Sequence, residues 1–351
     1  MSITQIYYLL RWPKIAPPIC EGILDDHVLQ LTHWLKEASW IVQSEVNADD
    51  HVIMPAGLSE SILNRALLAP HLFKIFSHSA KTLQLSDCKD ALRAYFAYAN
   101  QLREEVTNPP CLLGGEIEID FDSHYCHRME AESSVLCRPP VEITQSNREL
   151  ILEKLHAALA MVDGIANVAG AMIRSVIRVI RIRCSADGEL VTAAETDPRD
   201  IGEIRLLNIH LPQVRIIDLA DSLIHESLHN FLAMYENRHG SFVGYKQNSN
   251  MRPVSPWTGN PIPYNAFTHA VFIYFALFHF YRLVYANSKD HQLRSDAADL
   301  IAKCSRGFRV AELDKCLTLI GNSPEWVFAL YRKMSVDVRN IYSSNVTSSA
   351  N

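Results

Sequence analysis

The sequence predicts an α+β fold, mostly helical, with one small antiparallel or mixed sheet. Three observations carry that expectation. Helical patterning runs through the first hundred residues, a β-branched cluster near residue 180 ends at a turn signal, and a long apolar helix follows a last strand. Strands joined in part by a hairpin and flanked by helices suit α+β better than a doubly wound parallel sheet.

The elements follow in order. A helix starts near Ser59 and is interrupted at Pro70, and another covers Lys89 to Glu105. The Pro-, Gly- and Cys-rich stretch from Asn108 to Pro140 reads as a connection, with Gly114-Gly115 as a turn. Ser146 and Glu149 form an S-x-x-E capping box that opens one helix through LILEKLHAALAMVDGIANVAGAMI. Ser175 to Arg183 is a strand candidate, and Asp187-Gly188 suits a hairpin turn to its partner. IGEIRLLNIHL supplies a third strand, and a helix over Ile217 to Glu236 follows. The uncharged run Tyr264 to Tyr281 carries Asn265, Thr268, His269 and His279, a polar load that fits a buried core helix better than a membrane span.

Composition narrows the function. With 33 basic against 39 acidic side chains the net charge is −6, so the chain lacks the cationic excess that nucleic acid or anionic lipid requires. Its 8 cysteines in 351 residues never form a C-x-x-C pair, which predicts reduced thiols in a cytoplasmic protein. No Walker loop, G-x-G-x-x-G or G-x-S-x-G stands in the chain. His124-Tyr125-Cys126-His127 reads as an ordinary loop, because ligands so close in sequence rarely close a metal site. Trp40, Trp257 and Trp326 read as packing residues, and Trp257 could also wall a site.

His225-Glu226-Ser227-Leu228-His229 is an HExxH motif inside the last predicted helix. Four residues turn a helix by about 400°, so both imidazoles lie on one face and can grip one metal ion. Glu226 stands about 100° round, where zinc hydrolases hold a general base. The motif makes this a zincin-like helix beside the sheet. The Asn108–Pro140 connection divides the chain into a helical N-terminal lobe with linker, 1–140, and a metal-binding catalytic domain, 141–351.

The third ligand is read from the distribution of acids. The pattern HExxHxxGxxH fails, since Leu232 and Tyr235 occupy its last positions, and no Asp or Glu occurs from Asn237 to Lys289. The histidines in that window are His239, His269 and His279. His239 reads as an exposed loop residue and His279 as a hydrogen-bonded core residue. His269 opens the apolar segment and is the expected ligand. Three imidazoles leave open positions, which favours a catalytic site over a closed structural one, with zinc and iron both suited.

The pairing of DLADSLIHESLHNFL with SPWTGNPIPYNAFTHAVFIYFALFHFY resembles the HExxH-type iron and 2-oxoglutarate-dependent peptide hydroxylases of ribosomal-peptide biosynthesis. The likeness covers mainly Ile201 to Tyr285, with a weaker echo in ALLAPHLFKIF, and its most specific feature is Ser255-Pro256-Trp257 with His269 twelve residues after the Trp. The resemblance implies Fe(II) on His225, His229 and His269, with 2-oxoglutarate as co-substrate. It implies hydroxylation of a side-chain carbon, commonly Cβ, in a precursor peptide, Glu226 then serving to orient a ligand or substrate. The peptide would pair with an exposed edge at Glu203 to Ile209. Arg252 would hold the distal carboxylate of 2-oxoglutarate, with Arg178, Arg181, Arg183 and Arg205 as alternatives. The chain departs from the pattern at Thr258, where many members of the wider family have Arg, so the resemblance leaves that contact unassigned. The alternative from the residues alone is a zinc metallopeptidase with Glu226 as base.

Overall fold

Ser59 and Pro70 act as their chemistry dictates. The Ser59 hydroxyl accepts from the Ile62 amide and caps the helix Glu60–Leu67, and Pro70 opens the next, Pro70–Thr82, where its missing N–H costs no hydrogen bond. The computed structural model describes residues 3–14, 19–45, 58–104, 111–185, 191–243, 252–309 and 324–348. The helix expected from Lys89 begins earlier, spanning Leu85–Glu104.

The chain forms two units made of interleaved stretches. The first unit comprises Met1–Ile19, Leu159–Met172 and Tyr235–Asn351; the second comprises Cys20–Ala158 and Ile173–Met234. A division at residue 140 would fall inside the second unit.

The sheet belongs to the second unit. Its strands are β1 (Cys111–Leu113), β2 (Ile117–Asp120), β3 (Pro140–Val141), β4 (Val179–Ser185), β5 (Ala193–Glu195) and β6 (Glu203–Leu207). They lie in the order β1-β2-β4-β6-β5, with β3 paired to β4, so the sheet is mixed. β2, β4 and β6 run parallel, while β1 and β5 are antiparallel additions at the two ends. Gly114 and Gly115, both at positive φ, make the β1–β2 turn.

Three expectations need correction here. The strand near residue 180 starts at Val179, because Ser175 and Val176 end the helix Asn167–Val176. That strand does not form a hairpin with its successor: β5 pairs with β6, and β6 lies between it and β4. The Asp187-Gly188 turn itself lies outside the described residues. The helix expected from Ser146 begins at Gln145 instead, with the Thr144 hydroxyl accepting from the Asn147 amide, and it breaks at Ala166 into Gln145–Ile165 and Asn167–Val176.

Strand alternation sorts the sheet into two unlike faces. Ile180, Ile182, Ile204 and Leu206 share one face. Arg181, Arg183, Glu203 and Arg205 share the other, and all four are buried too. Arg181 and Arg205 are direct cross-strand neighbours, a repulsive pairing unless a counter-charge intervenes. Glu203 supplies it, binding the Nε of each through a different oxygen. Asp120 adds a second carboxylate to Arg181, and Asp200 one to Arg205.

In the first unit the apolar helix Tyr264–Asn287 is the core. It is the one helix among the described residues long and apolar enough to cross a membrane, and it is buried within the protein, as expected of a core helix. Trp12 Nε1 donates to the Ala276 carbonyl and Tyr331 Oη to that of Thr268, so its neighbours are tied to its backbone.

Candidate functional site

The HExxH helix runs Ile216–His239, a few residues longer than predicted. Most of it is buried, but Asp218, Asp221, Ser222, His225 and His229 form a half-buried stripe at i, i+3 and i+4 spacing. The two imidazoles therefore lie on its more open face, their ring centroids 5.2 Å apart. Asn230, the next residue, fastens the helix to the sheet. Its Oδ1 accepts from the Gly202 amide, and its Nδ2 donates to the Glu203 carbonyl 3.2 Å away.

Glu226 points elsewhere. It is buried, and its side chain meets the hydroxyl of Thr196, which follows β5. Burial pushes its carboxyl above the usual range, opposed by His225 and the Thr196 hydrogen bond and reinforced by Glu195 and Asp221.

His269 is buried near the start of the apolar helix, with its Nε2 2.9 Å from Glu236 Oε2. Burial alone would raise the Glu236 carboxyl; the His269 hydrogen bond and charge, the Phe242 amide and the Ser241 hydroxyl outweigh it and hold it low. A carboxylate behind a histidine is the usual support of a metal-ligating imidazole. Sequence reasoning missed Glu236 because it stands one position before the acid-free window. Its signal was present: seven residues after His229, two helical turns on, it shares that helix face.

The remaining candidates have other work. His239 ends the HExxH helix exposed, its ring 4.4 Å from Tyr235. His279 is buried as expected of a core residue, but its Nε2, 3.5 Å from Asp337, makes no hydrogen bond among the described residues. Trp257 is a packing residue. Its indole stacks on Tyr274 at 4.6 Å and donates to the Cys304 carbonyl, and a Cβ at Gly307 would overlap it. Ser255 shapes that turn, its hydroxyl accepting from the Trp257 and Thr258 amides. Trp40 does not pack, being 70% exposed. Within His124–His127, Cys126 donates to the Asp120 carbonyl and no metal cluster forms.

Two functional expectations are corrected. Arg181 and Arg205 are saturated by carboxylates, and Arg183 by the carbonyls of Cys126, Arg128 and Arg138, so none of the three is available to a co-substrate. Arg178 gives its Nη2 to the Arg174 and Ser175 carbonyls. Arg252 is exposed and makes no ion pair among the described residues. Glu203 to Leu207 is not an edge, since β6 is flanked by β4 and β5; the edge on that side is β5.

Among the described residues no three His, Cys, Asp or Glu side chains form a group that could hold a metal. The spacing of His225 and His229 suits two positions on one metal ion, and His269, in the first unit, has a carboxylate behind its imidazole. No protein-family model matches the chain, and a search of curated proteins finds no match.

Proposed function

We propose that the chain is a cytoplasmic Fe(II)- and 2-oxoglutarate-dependent oxygenase that hydroxylates a side-chain carbon, Cβ by the resemblance, of a residue in a ribosomal precursor peptide. The observation that carries this reading is the Glu236–His269 hydrogen bond. It joins the last turns of the HExxH helix to the second of the two blocks on which the resemblance rests.

His225, His229 and His269 would hold the metal, and Arg252 would meet the distal carboxylate of 2-oxoglutarate. Iron would supply the centre at which O₂, the oxidant, takes two electrons from 2-oxoglutarate, giving succinate and carbon dioxide, and two from the C–H bond that is hydroxylated. The residues of the chain set the conditions. By accepting the Nε2 proton, Glu236 makes Nδ1 the His269 nitrogen that carries the lone pair. Asn230 holds the imidazole-bearing turn against the sheet. An extended peptide would add to β5, whose following residue, Thr196, touches Glu226, so the bound strand would run beside the HExxH helix. Glu226, buried and bonded to Thr196, orients that corner.

The zinc metallopeptidase reading keeps one observation in its favour. The raised Glu226 carboxyl is the direction a general base needs near neutral pH. Anaerobic loading with Fe(II), followed by 2-oxoglutarate and O₂, separates the two. Succinate formation by the wild type and its loss in His225→Ala and His229→Ala are expected. Peptide cleavage by the zinc form that Glu226→Gln abolishes, with no succinate, would establish the peptidase instead.

A further inference from the structure

The second unit contains a cavity of about 690 Å³ that the HExxH helix does not line. Its volume is that of a small-molecule site. One wall is aromatic: the His71 ring stands 4.5 Å from Tyr98 in an edge contact and 4.8 Å from Tyr125. Burial, and then the charge of Arg181, lower the His71 pKa to about 4, so the ring is neutral at physiological pH and adds no charge of its own. Leu68, Ile75, Ala94 and Val179 supply apolar surface.

Three guanidiniums line the cavity, and their partners differ. Arg181, under the Tyr125 ring at 4.4 Å, is neutralised by Asp120 and Glu203. Arg65 is paired with Glu118 at 2.8 Å. Arg178 has no carboxylate within 4 Å among the described residues. Its Nη2 reaches only the Arg174 and Ser175 carbonyls, and its Nε is buried with no hydrogen-bond partner. Glu116, exposed past the β1–β2 turn, attracts it from beyond ion-pair distance. A largely buried cation without a counter-ion is unfavourable, and desolvation shifts Arg178 toward the neutral form accordingly. An anion in the cavity would relieve this.

We propose that the cavity binds a small aryl carboxylate, its ring against His71, Tyr98 and Tyr125 and its carboxylate on Arg178. With Nη2 on the Arg174 and Ser175 carbonyls and Nε buried, Nη1 is the Arg178 nitrogen left to meet a carboxylate, and the wall offers stacking and edge contacts to a ring. The site is independent of the oxygenase reading, since no residue of the HExxH helix takes part.

Calorimetric titration of the metal-free full chain with phenylacetate, phenylacetamide and N-acetylphenylalanine tests this. Phenylacetate should bind saturably at one site, with the uncharged amide at least about tenfold weaker. Arg178→Gln should bring acid and amide to equal affinity, Arg178→Lys should retain a preference for the acid, and Tyr98→Ala should weaken both ligands. Tighter binding of N-acetylphenylalanine than of phenylacetate would identify a peptide C-terminus as the source of the group; the reverse order would identify a free acid. Equal binding of acid and amide by the unmodified chain, or no saturable binding of either acid, would overturn the proposal without reference to any variant. So would an acid preference undiminished in folded Arg178→Gln.

Discussion

On the sheet, Arg181, Arg205, Glu203, Asp120 and Asp200 are buried together, and each guanidinium meets two of the carboxylates. On the HExxH helix, Glu226 is equally hidden but has a hydroxyl for its partner and, among the described residues, no cation in an ion pair. The sheet buries far more charge, yet its charges are consumed by one another. The helix buries one charged group, Glu226, whose carboxyl is shifted, and leaves Asp218, Asp221, His225 and His229 half open. Density of charged residues is therefore a poor guide to the site in this chain, and unmet electrostatic demand is a better one.

The largest expected effect lies on the sheet. Glu203→Ala leaves Arg181 and Arg205 facing each other and should cost about 3–5 kcal/mol of stability, read from urea denaturation. An unchanged midpoint would show that the network is not held by its bridging carboxylate.

Acid should attack the same region, by a smaller amount. Burial raises the Asp120 carboxyl, but the Ser123 hydrogen bond, the Arg181 charge and the local amides more than reverse it, and Glu195 is held low against burial by Ser133, Ser134, the Val135 amide and Arg205. A depressed native pKa means that the unfolded chain takes up protons first as pH falls. These groups therefore stabilise the fold above the ordinary carboxylate range and lose that contribution as pH drops through it. Melting temperature measured downward from neutral pH should fall on entering that range; a flat profile would contradict the assignment.

For the metal-free chain the sign reverses at Glu226. Its raised native pKa keeps the folded state protonated where the unfolded state has ionised, so stability declines as pH rises from the unfolded toward the native value. Glu226→Gln should stabilise the metal-free protein near neutral pH, by about 1 kcal/mol, and the gain should vanish in acid. A loss at both pH values would mean that the carboxylate is already compensated.

The smallest effect on stability is expected at Glu236, which is partly open to solvent. Glu236→Gln should lower the metal-free melting temperature only slightly, since a depressed carboxyl is lost, and weaken metal binding by about 10–100-fold. Metal binding at wild-type affinity would remove His269 from the ligand set or Glu236 from its support.

Most local signals were legible where a single stretch of chain decided the outcome. Ser59, Pro70 and the Gly114-Gly115 turn work through their own backbone neighbours, and the HExxH spacing works through helix geometry alone. The capping site moved from Ser146 to Thr144 because two hydroxyls stood within one turn and only one could hold the first free amides. The β5 partner was misread because pairing is chosen by residues far apart in sequence: β5 lies antiparallel on β6, and the parallel β4–β6 pairing occupies the other side.

What the sequence by itself determined is the mostly helical α+β class, a core helix over Tyr264 to Tyr281 and the placing of His225 and His229 on one helix face, since periodicity and spacing are properties of contiguous residues. Only the tertiary structure decided which charges are spent. Arg181, Arg183 and Arg205 look alike on paper to Arg178 and Arg252, and Glu236 looks like any helix-end acid. Whether a guanidinium meets a carboxylate, or an acid stands behind a histidine, depends on strand order and on which segments the fold brings side by side, and burial then multiplies the energetic weight of each such meeting.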